Sequence, residues 1–172
     1  PFSCFYRLND HYLMCGSPER FLQKEGDRFI SQPIKGTAPR GGTPEEDQRI
    51  REELTKSEKD RSENVMIVDL VRNDLSRSAQ VGSVVVDELF GIYSFPTVHQ
   101  MISTVTSKLR PEVHFVEALR MAYPMGSMTG APKIRAMELI EGLEESRRGL
   151  YSGTVGYITP DKDFDFNVVI RS

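Results

Sequence analysis

Val98-His99-Gln100-Met101-Ile102-Ser103-Thr104-Val105-Thr106-Ser107-Lys108-Leu109 reads as one long strand. Side chains on a strand repeat every two residues. Here Val98, Gln100, Ile102, Thr104 and Thr106 fall on one face, and His99, Met101, Ser103 and Val105 fall on the other. A strand needs partners, and the surrounding sequence supplies them. Residues 83–90, just upstream, are rich in β-branched side chains. The first third of the chain holds four short runs, residues 3–8, 12–15, 21–24 and 28–31. Asn9-Asp10 and Glu25-Gly26-Asp27, both of turn composition, punctuate them. Residues 153–159 and 164–171 return to the same pattern.

Helical signals lie between these runs. Thr43-Pro44-Glu45-Glu46 is a capping box with proline at the first helical position, which predicts a helix start at Thr43. Residues 44–57 carry few apolar side chains, mainly Ile50 and Leu54, and read as a surface helix. Between residues 59 and 75, Val65, Met66, Ile67, Val68, Leu70, Val71 and Leu75 predict a helix buried on more than one side. Residues 111–121 read as helix and 123–130 as a loop. Residues 131–145 read as a helix with Ile134, Met137, Ile140 and Leu143 on one face. Residues 33–40 read as a turn-like segment. There is no internal repeat and no low-complexity segment. The predicted class is α+β, a mostly antiparallel sheet with packed helices.

The 172 residues suffice for one domain with a core. A content of 38% apolar and 27% charged residues is ordinary for a globular chain. A net charge of −3, with no aromatic-basic face and no polybasic run, disfavours nucleic acid and anionic lipid as partners. No stretch approaches the roughly 18 apolar residues of a membrane span. No targeting segment is visible, so a cytoplasmic location is expected. If Asn9-Asp10 is a two-residue turn, Cys4 and Cys15 face each other on paired strands; free thiols serving as small core residues are expected there. The chain starts at Pro1 rather than methionine and stops inside what reads as a strand, Asn167-Val168-Val169-Ile170-Arg171-Ser172. A domain fragment covering residues 1–172, incomplete at both ends, is therefore expected.

Several segments could carry chemistry. Gly126-Ser127-Met128-Thr129-Gly130-Ala131-Pro132-Lys133 is a glycine-rich loop feeding a helix, whose first turn leaves backbone donors unpaired. Its glycine spacing and Pro132 exclude a Walker A phosphate loop. Lys35, between Ile34 and Gly36, is either a solvated loop lysine or a partly desolvated one whose neutral, nucleophilic form is favoured. Asp60 and Glu63 lie one helical turn apart, and paired carboxylates can hold a hard divalent cation through oxygen or form a solvated face. Asp69, Arg72, Asn73 and Asp74 are expected to pair with one another or with nearby loops. His99 is a lone strand histidine, either a hydrogen-bonded core residue or a catalyst. Glu19, just after Ser17-Pro18, would serve as a general acid if it were partly buried.

Taken together and in order, these segments resemble the chorismate-utilising enzymes. The resemblance rests on Ser17-Pro18-Glu19-Arg20-Phe21, on the run from Pro33 to Gly41, on the run from Glu63 to Leu75, and on Phe95-Pro96-Thr97-Val98-His99. It continues through the run from Gly126 to Lys133, Tyr151-Ser152-Gly153 and Phe166-Asn167-Val168-Val169-Ile170-Arg171, so it covers nearly the whole chain. The family includes anthranilate synthase component I, aminodeoxychorismate synthase component I, isochorismate synthase and salicylate synthase. It implies the β-sandwich of anthranilate synthase component I, here a part lacking some strands. Anthranilate synthases typically carry alanine at the position of Lys35, whereas aminodeoxychorismate synthases that use a covalent lysine carry lysine. Ser127 and Thr129 also look closer to the latter branch.

The resemblance implies a role for each matching residue. Lys35 would attack ring carbon two of chorismate while Glu19 protonates the leaving hydroxyl at carbon four, with His99 near that hydroxyl. Ammonia from a glutamine amidotransferase, separate or fused, would then displace the lysine adduct. Gly36 and Thr37 would line the same pocket, and Ser127 with the rest of the loop (Gly126, Met128, Thr129, Gly130) would contact substrate. Tyr151 and Arg171 would hold a carboxylate, for which a guanidinium fork is suited. Glu63, with Asp60 nearby or acting through water, would bind Mg²⁺. The family's last motif, which supplies further glutamate ligands, has no counterpart here, so little or no activity is expected of the chain alone. The nearest alternatives are anthranilate, isochorismate or salicylate synthesis; an alternative of another class is a non-catalytic chorismate-binding module.

Overall fold

The computed structural model describes residues 2–172. Strands β1 (Phe2–Leu8) and β2 (His11–Ser17) form an antiparallel hairpin. Its turn is Asn9-Asp10, with Asn9 at φ 54°, a left-handed conformation that asparagine tolerates. The register sets Cys4 opposite Cys15, and both thiols are free, as expected. The chain continues through β3 (Arg20–Glu25), β4 (Arg28–Gln32), β5 (Ile34–Pro39), α1 (Pro44–Lys56) and α2 (Glu58–Ser76). Then come β6 (Val85–Ser94), β7 (Val98–Lys108), α3 (Phe115–Ala122), α4 (Gly126–Thr129), α5 (Lys133–Leu143), β8 (Gly156–Ile158) and β9 (Phe164–Asn167).

The main sheet is antiparallel throughout, in the order β5-β7-β4-β3-β9-β8, with β6 also on β7. The long strand read from sequence is its centre. One edge of β7 is shared by β4, along Val105–Lys108, and by β5, along Val98–Ile102; β6 runs along the other edge. The face carrying His99, Met101, Ser103 and Val105 is wholly buried. Helix α2 packs against this strand. Asn64 of α2 is buried, accepts the Ser103 hydroxyl at 2.5 Å and points its amide at the Met101 carbonyl. A polar side chain is tolerated there because both its ends are partnered. The apolar core gathers Phe21, Leu22, Phe29, Val68, Leu75, Val105 and Phe164.

The predicted cap at Thr43 forms on one side, while the Glu46 carboxylate accepts the Gly42 amide rather than that of Thr43. Thr43 accepts the Glu46 amide at α1, whose buried residue is Leu54. Elsewhere the structure differs from the sequence reading. Residues 34–39 are a strand rather than a turn, because β7 offers them a free edge. Strand β6 extends to Ser94. Helix α3 starts only at Phe115, capped by His114 after the turn that Pro111 opens. The 123–130 loop contains the short helix α4, and α5, β8 and β9 are shorter than their apolar patterns. Helix α2 is buried on one side only: Val65 and Met66 are exposed. Ile134, Met137 and Leu143 of α5 are exposed as well. No helix among the described residues is long and apolar enough to cross a membrane.

Candidate active site

Glu19 sits between β2 and β3, where three contacts fix its backbone. The Ser17 hydroxyl oxygen accepts the Glu19 amide at 3.2 Å, and the Glu19 carbonyl accepts the Val168 amide at 3.1 Å and the Ser17 hydroxyl at 3.3 Å. The residue is only 8% exposed. Burial pushes its carboxyl upward; a hydrogen bond from Ser127 and the charge of Lys35 pull partly the other way. The partial burial anticipated for Glu19 is present, and it favours the neutral acid. A cleft opens beside it, lined by Glu19, Pro33, Asp74, Met125, Gly126 and Ser127 among others.

Ser127 is presented by α4, which lies tightly on α2. A Cβ on Gly126 would come within 3.1 Å of the Leu70 side chain, so glycine permits that approach. The Lys133 ammonium secures the turn before α4, donating to the Pro124 carbonyl at 2.8 Å and to Asp74 at 2.6 Å. Burial raises the Asp74 carboxyl, and Lys133 opposes that rise. Arg148 holds the other end, donating to the Met128 carbonyl at 2.9 Å and the Ser152 hydroxyl at 3.2 Å while pairing with Glu144.

Lys35 and Gly36 are half-buried on β5. Gly36 has φ +94°, and a Cβ there would lie 3.0 Å from the Asp60 Cβ; only glycine fits so close a passage over the first turn of α2. The Asp60 carboxylate accepts the Ser57 hydroxyl at 2.5 Å, and Ser57 caps the helix by accepting the Asp60 amide. Asp60 therefore serves the helix start. Glu63 is exposed, with the Lys59 ammonium 4.0 Å away. Asp69 pairs with Arg72 at 2.8 Å, as anticipated.

The cleft thus gathers Glu19, Gly126 and Ser127; Lys35 does not line it and is felt at Glu19 only as a positive charge. It does not gather all the predicted residues. His99 is fully buried, with its ring nitrogens 2.8 Å from the Ser94 hydroxyl and 2.9 Å from Asp47. Thr37 and Arg171 are exposed, and Tyr151 is 48% exposed. None of these four lines the Glu19 cleft. Sequence reasoning missed Asp47, Asn64, Arg148 and the Asp74–Lys133 pairing. Asp47 stands 52 positions from His99, a separation that no periodicity reveals.

The described residues do not by themselves fit a divalent-cation site. No three histidine, cysteine, aspartate or glutamate side chains converge among them, Asp60 is engaged by Ser57, and Glu63 is left as a single open carboxylate.

The arrangement defines a class. The chain belongs to the chorismate binding enzyme family, whose model matches residues 1–172. Among curated proteins, it is 51% identical over 173 residues to an aminodeoxychorismate synthase of Streptomyces griseus, covering 100% of this chain and 24% of that protein. It is 48% identical to aminodeoxychorismate synthase component 1 of Salmonella typhimurium, covering 100% of this chain and 38% of that one. The chain thus spans between about a quarter and two-fifths of these relatives. Among solved structures, anthranilate synthase component I from Streptococcus pneumoniae superposes with a TM-score of 0.88 at 34% identity, covering 99% of this chain and 37% of that one. The menaquinone-specific isochorismate synthase of Escherichia coli, at 21% identity and a TM-score of 0.80 over 93% of this chain and 36% of its own, shares the fold. These matches bear out the α+β architecture expected from the sequence.

Proposed function

We propose that the chain is the chorismate-binding catalytic part of an aminodeoxychorismate synthase. This enzyme would convert chorismate and ammonia to 4-amino-4-deoxychorismate, which leads to p-aminobenzoate and folate. The observation that carries the reading is the buried Glu19 beside Ser127, its carboxyl pushed upward by burial against the opposing charge of Lys35. In this scheme the Lys35 amine attacks ring carbon two, the ring double bonds shift, and the carbon-four hydroxyl leaves as water with the proton of Glu19. Ammonia then adds at carbon four, the bond from carbon two to Lys35 breaks, and the Glu19 carboxylate recovers a proton from the incoming amine. Nucleophile and acid must be held together for such a double displacement.

Identities of 46–51% to enzymes of this name support the same branch. Ser127, with Gly126, Met128, Thr129 and Gly130, would contact substrate; Tyr151 and Arg171 would reach a carboxylate from the surface. Mg²⁺ as cofactor and Glu63 as one of its ligands belong to the proposal, with further oxygen ligands required beyond Glu63. So do a glutamine amidotransferase that supplies ammonia and a cytoplasmic setting, which the two unbonded cysteines favour. The full-length protein, given chorismate, ammonium and Mg²⁺, is expected to form aminodeoxychorismate. Anthranilate and pyruvate as products would refute the branch. Lys35→Ala is expected to abolish the covalent adduct in mass spectra; undiminished turnover would remove Lys35 from its role.

A further inference from the structure

We infer that Asp47 and His99 are positioning residues that clamp the strand carrying Lys35, and that His99 serves this clamp rather than proton transfer. The catalytic meaning rests on the reading of Lys35 above; the clamp itself rests on geometry.

Asp47 stands in the first turn of α1, where four donors converge on its carboxylate. Oδ1 accepts from Arg40 Nε at 2.7 Å, the Gly41 amide at 2.8 Å and His99 Nε2 at 2.9 Å, and Oδ2 accepts from Arg40 Nη2 at 2.8 Å. Arg40 and the Gly41 amide hold the carboxyl well below the usual range, so Asp47 is an anion. An ionised carboxylate only accepts, which places a proton on Nε2 of His99. In the neutral ring Nδ1 is then bare, and the Ser94 hydroxyl 2.8 Å away donates to it. Both ring nitrogens are engaged and the ring is buried, so His99 has no open nitrogen for a ligand.

The same hub fixes the exit of β5. The Arg40 amide donates to the Thr97 carbonyl at 3.3 Å, and Arg40 Nη1 donates to the Phe95 carbonyl at 2.8 Å. Ala38 lies opposite His99 in the sheet register. A Cβ on Gly41 would fall 2.3 Å from the Asp47 backbone nitrogen, so the first turn of α1 presses directly on this segment. Ile34 pairs with Ile102 at the other end of β5. Lys35 is therefore carried on a strand pinned at both ends, in the stretch between Ile34 and Thr37 where the register with β7 shifts.

The test compares Asp47→Asn, His99→Leu and His99→Gln in the full-length enzyme. Glutamine places an amide nitrogen where Nε2 sits and donates to Asp47, but it does not titrate. Hydrogen exchange at the Arg40 and Gly41 amides is expected to quicken about tenfold in Asp47→Asn and His99→Leu and to stay near wild type in His99→Gln. The rate of lysine-adduct formation is expected to fall about tenfold in the first two with KM for chorismate little changed, while His99→Gln keeps the wild-type pH profile and a rate within about threefold. Arg40→Lys, which keeps the charge but loses the two-point contact, is expected to reproduce the exchange signature if Asp47→Asn does not fold. A His99→Gln enzyme as slow as His99→Leu, with one limb of the pH profile lost, would make His99 a proton carrier and overturn the inference. Unchanged exchange in Asp47→Asn would do the same. If Lys35→Ala keeps its turnover, the reading of Lys35 fails, while the exchange data still decide the clamp.

Discussion

Glu19, on the strand side of the site, is 8% exposed; Glu63, on the open face of α2, keeps 48% of its side chain in water. The two are chemically identical, and their surroundings differ. Burial withdraws water from the Glu19 carboxyl and favours its neutral form. The helix face leaves Glu63 hydrated, 4.0 Å from the Lys59 ammonium. A carboxylate at this site is thus defined by the layer it occupies, and substitutions on the two sides should fail differently.

The sharpest break is Glu19→Gln. Turnover of chorismate with ammonia in the full-length enzyme should fall about 10²–10⁴-fold. In the unsubstituted enzyme activity should decline as pH rises through the elevated ionisation range of Glu19. Folding raises this carboxyl, so the protonated form is bound more tightly by the folded state, and stability is lost as pH climbs through the folded value. Glu19→Gln should therefore be more stable than wild type at alkaline pH and similar in acid, as read by urea unfolding. Next comes Lys133→Met, which leaves Asp74 as an unpaired buried charge and should cost about 3–5 kcal/mol. Asp74 is also raised by burial, so that cost should shrink in acid; a loss independent of pH would detach it from the ion pair. Glu63→Gln should leave folding intact and raise the Mg²⁺ concentration for half-maximal rate about tenfold; an unaltered requirement would remove Glu63 from the ligand set. Arg49→Ala, which breaks the fully solvated pair with Glu53 on α1, should change stability by less than about 0.5 kcal/mol, marking the baseline for exposed charge.

Much of the fold was legible because it is local. The alternation through β7, the Asn9-Asp10 hairpin and the Thr43 cap each declare themselves within a dozen residues. Apolar density misled at α2 and α5, since counting Val65, Met66, Ile134 and Leu143 does not reveal whether anything packs on them. Residues 33–40 looked like a turn because Pro33, Gly36 and Pro39 mask a strand that only the edge of β7 completes. In the site, Glu19 and Lys35 stood out once the motifs were read in order. The joins between distant segments were not legible: Asp47 to His99, Asp74 to Lys133 and Arg148 to Met128 are contacts across folded space with no signature along the chain.

Strand β9 illustrates what such distance means for a growing polypeptide. Arg20 pairs with Asn167, and the carbonyl of Glu19 waits for the amide of Val168, nearly the whole chain later. Contacts this remote close after local ones during folding. On the ribosome, β3 and β4 can zip together early, while the lid over Glu19 must await the emergence of residues 164–168. The surroundings of Glu19 are thus completed late, when residues 164–168 dock beside β3.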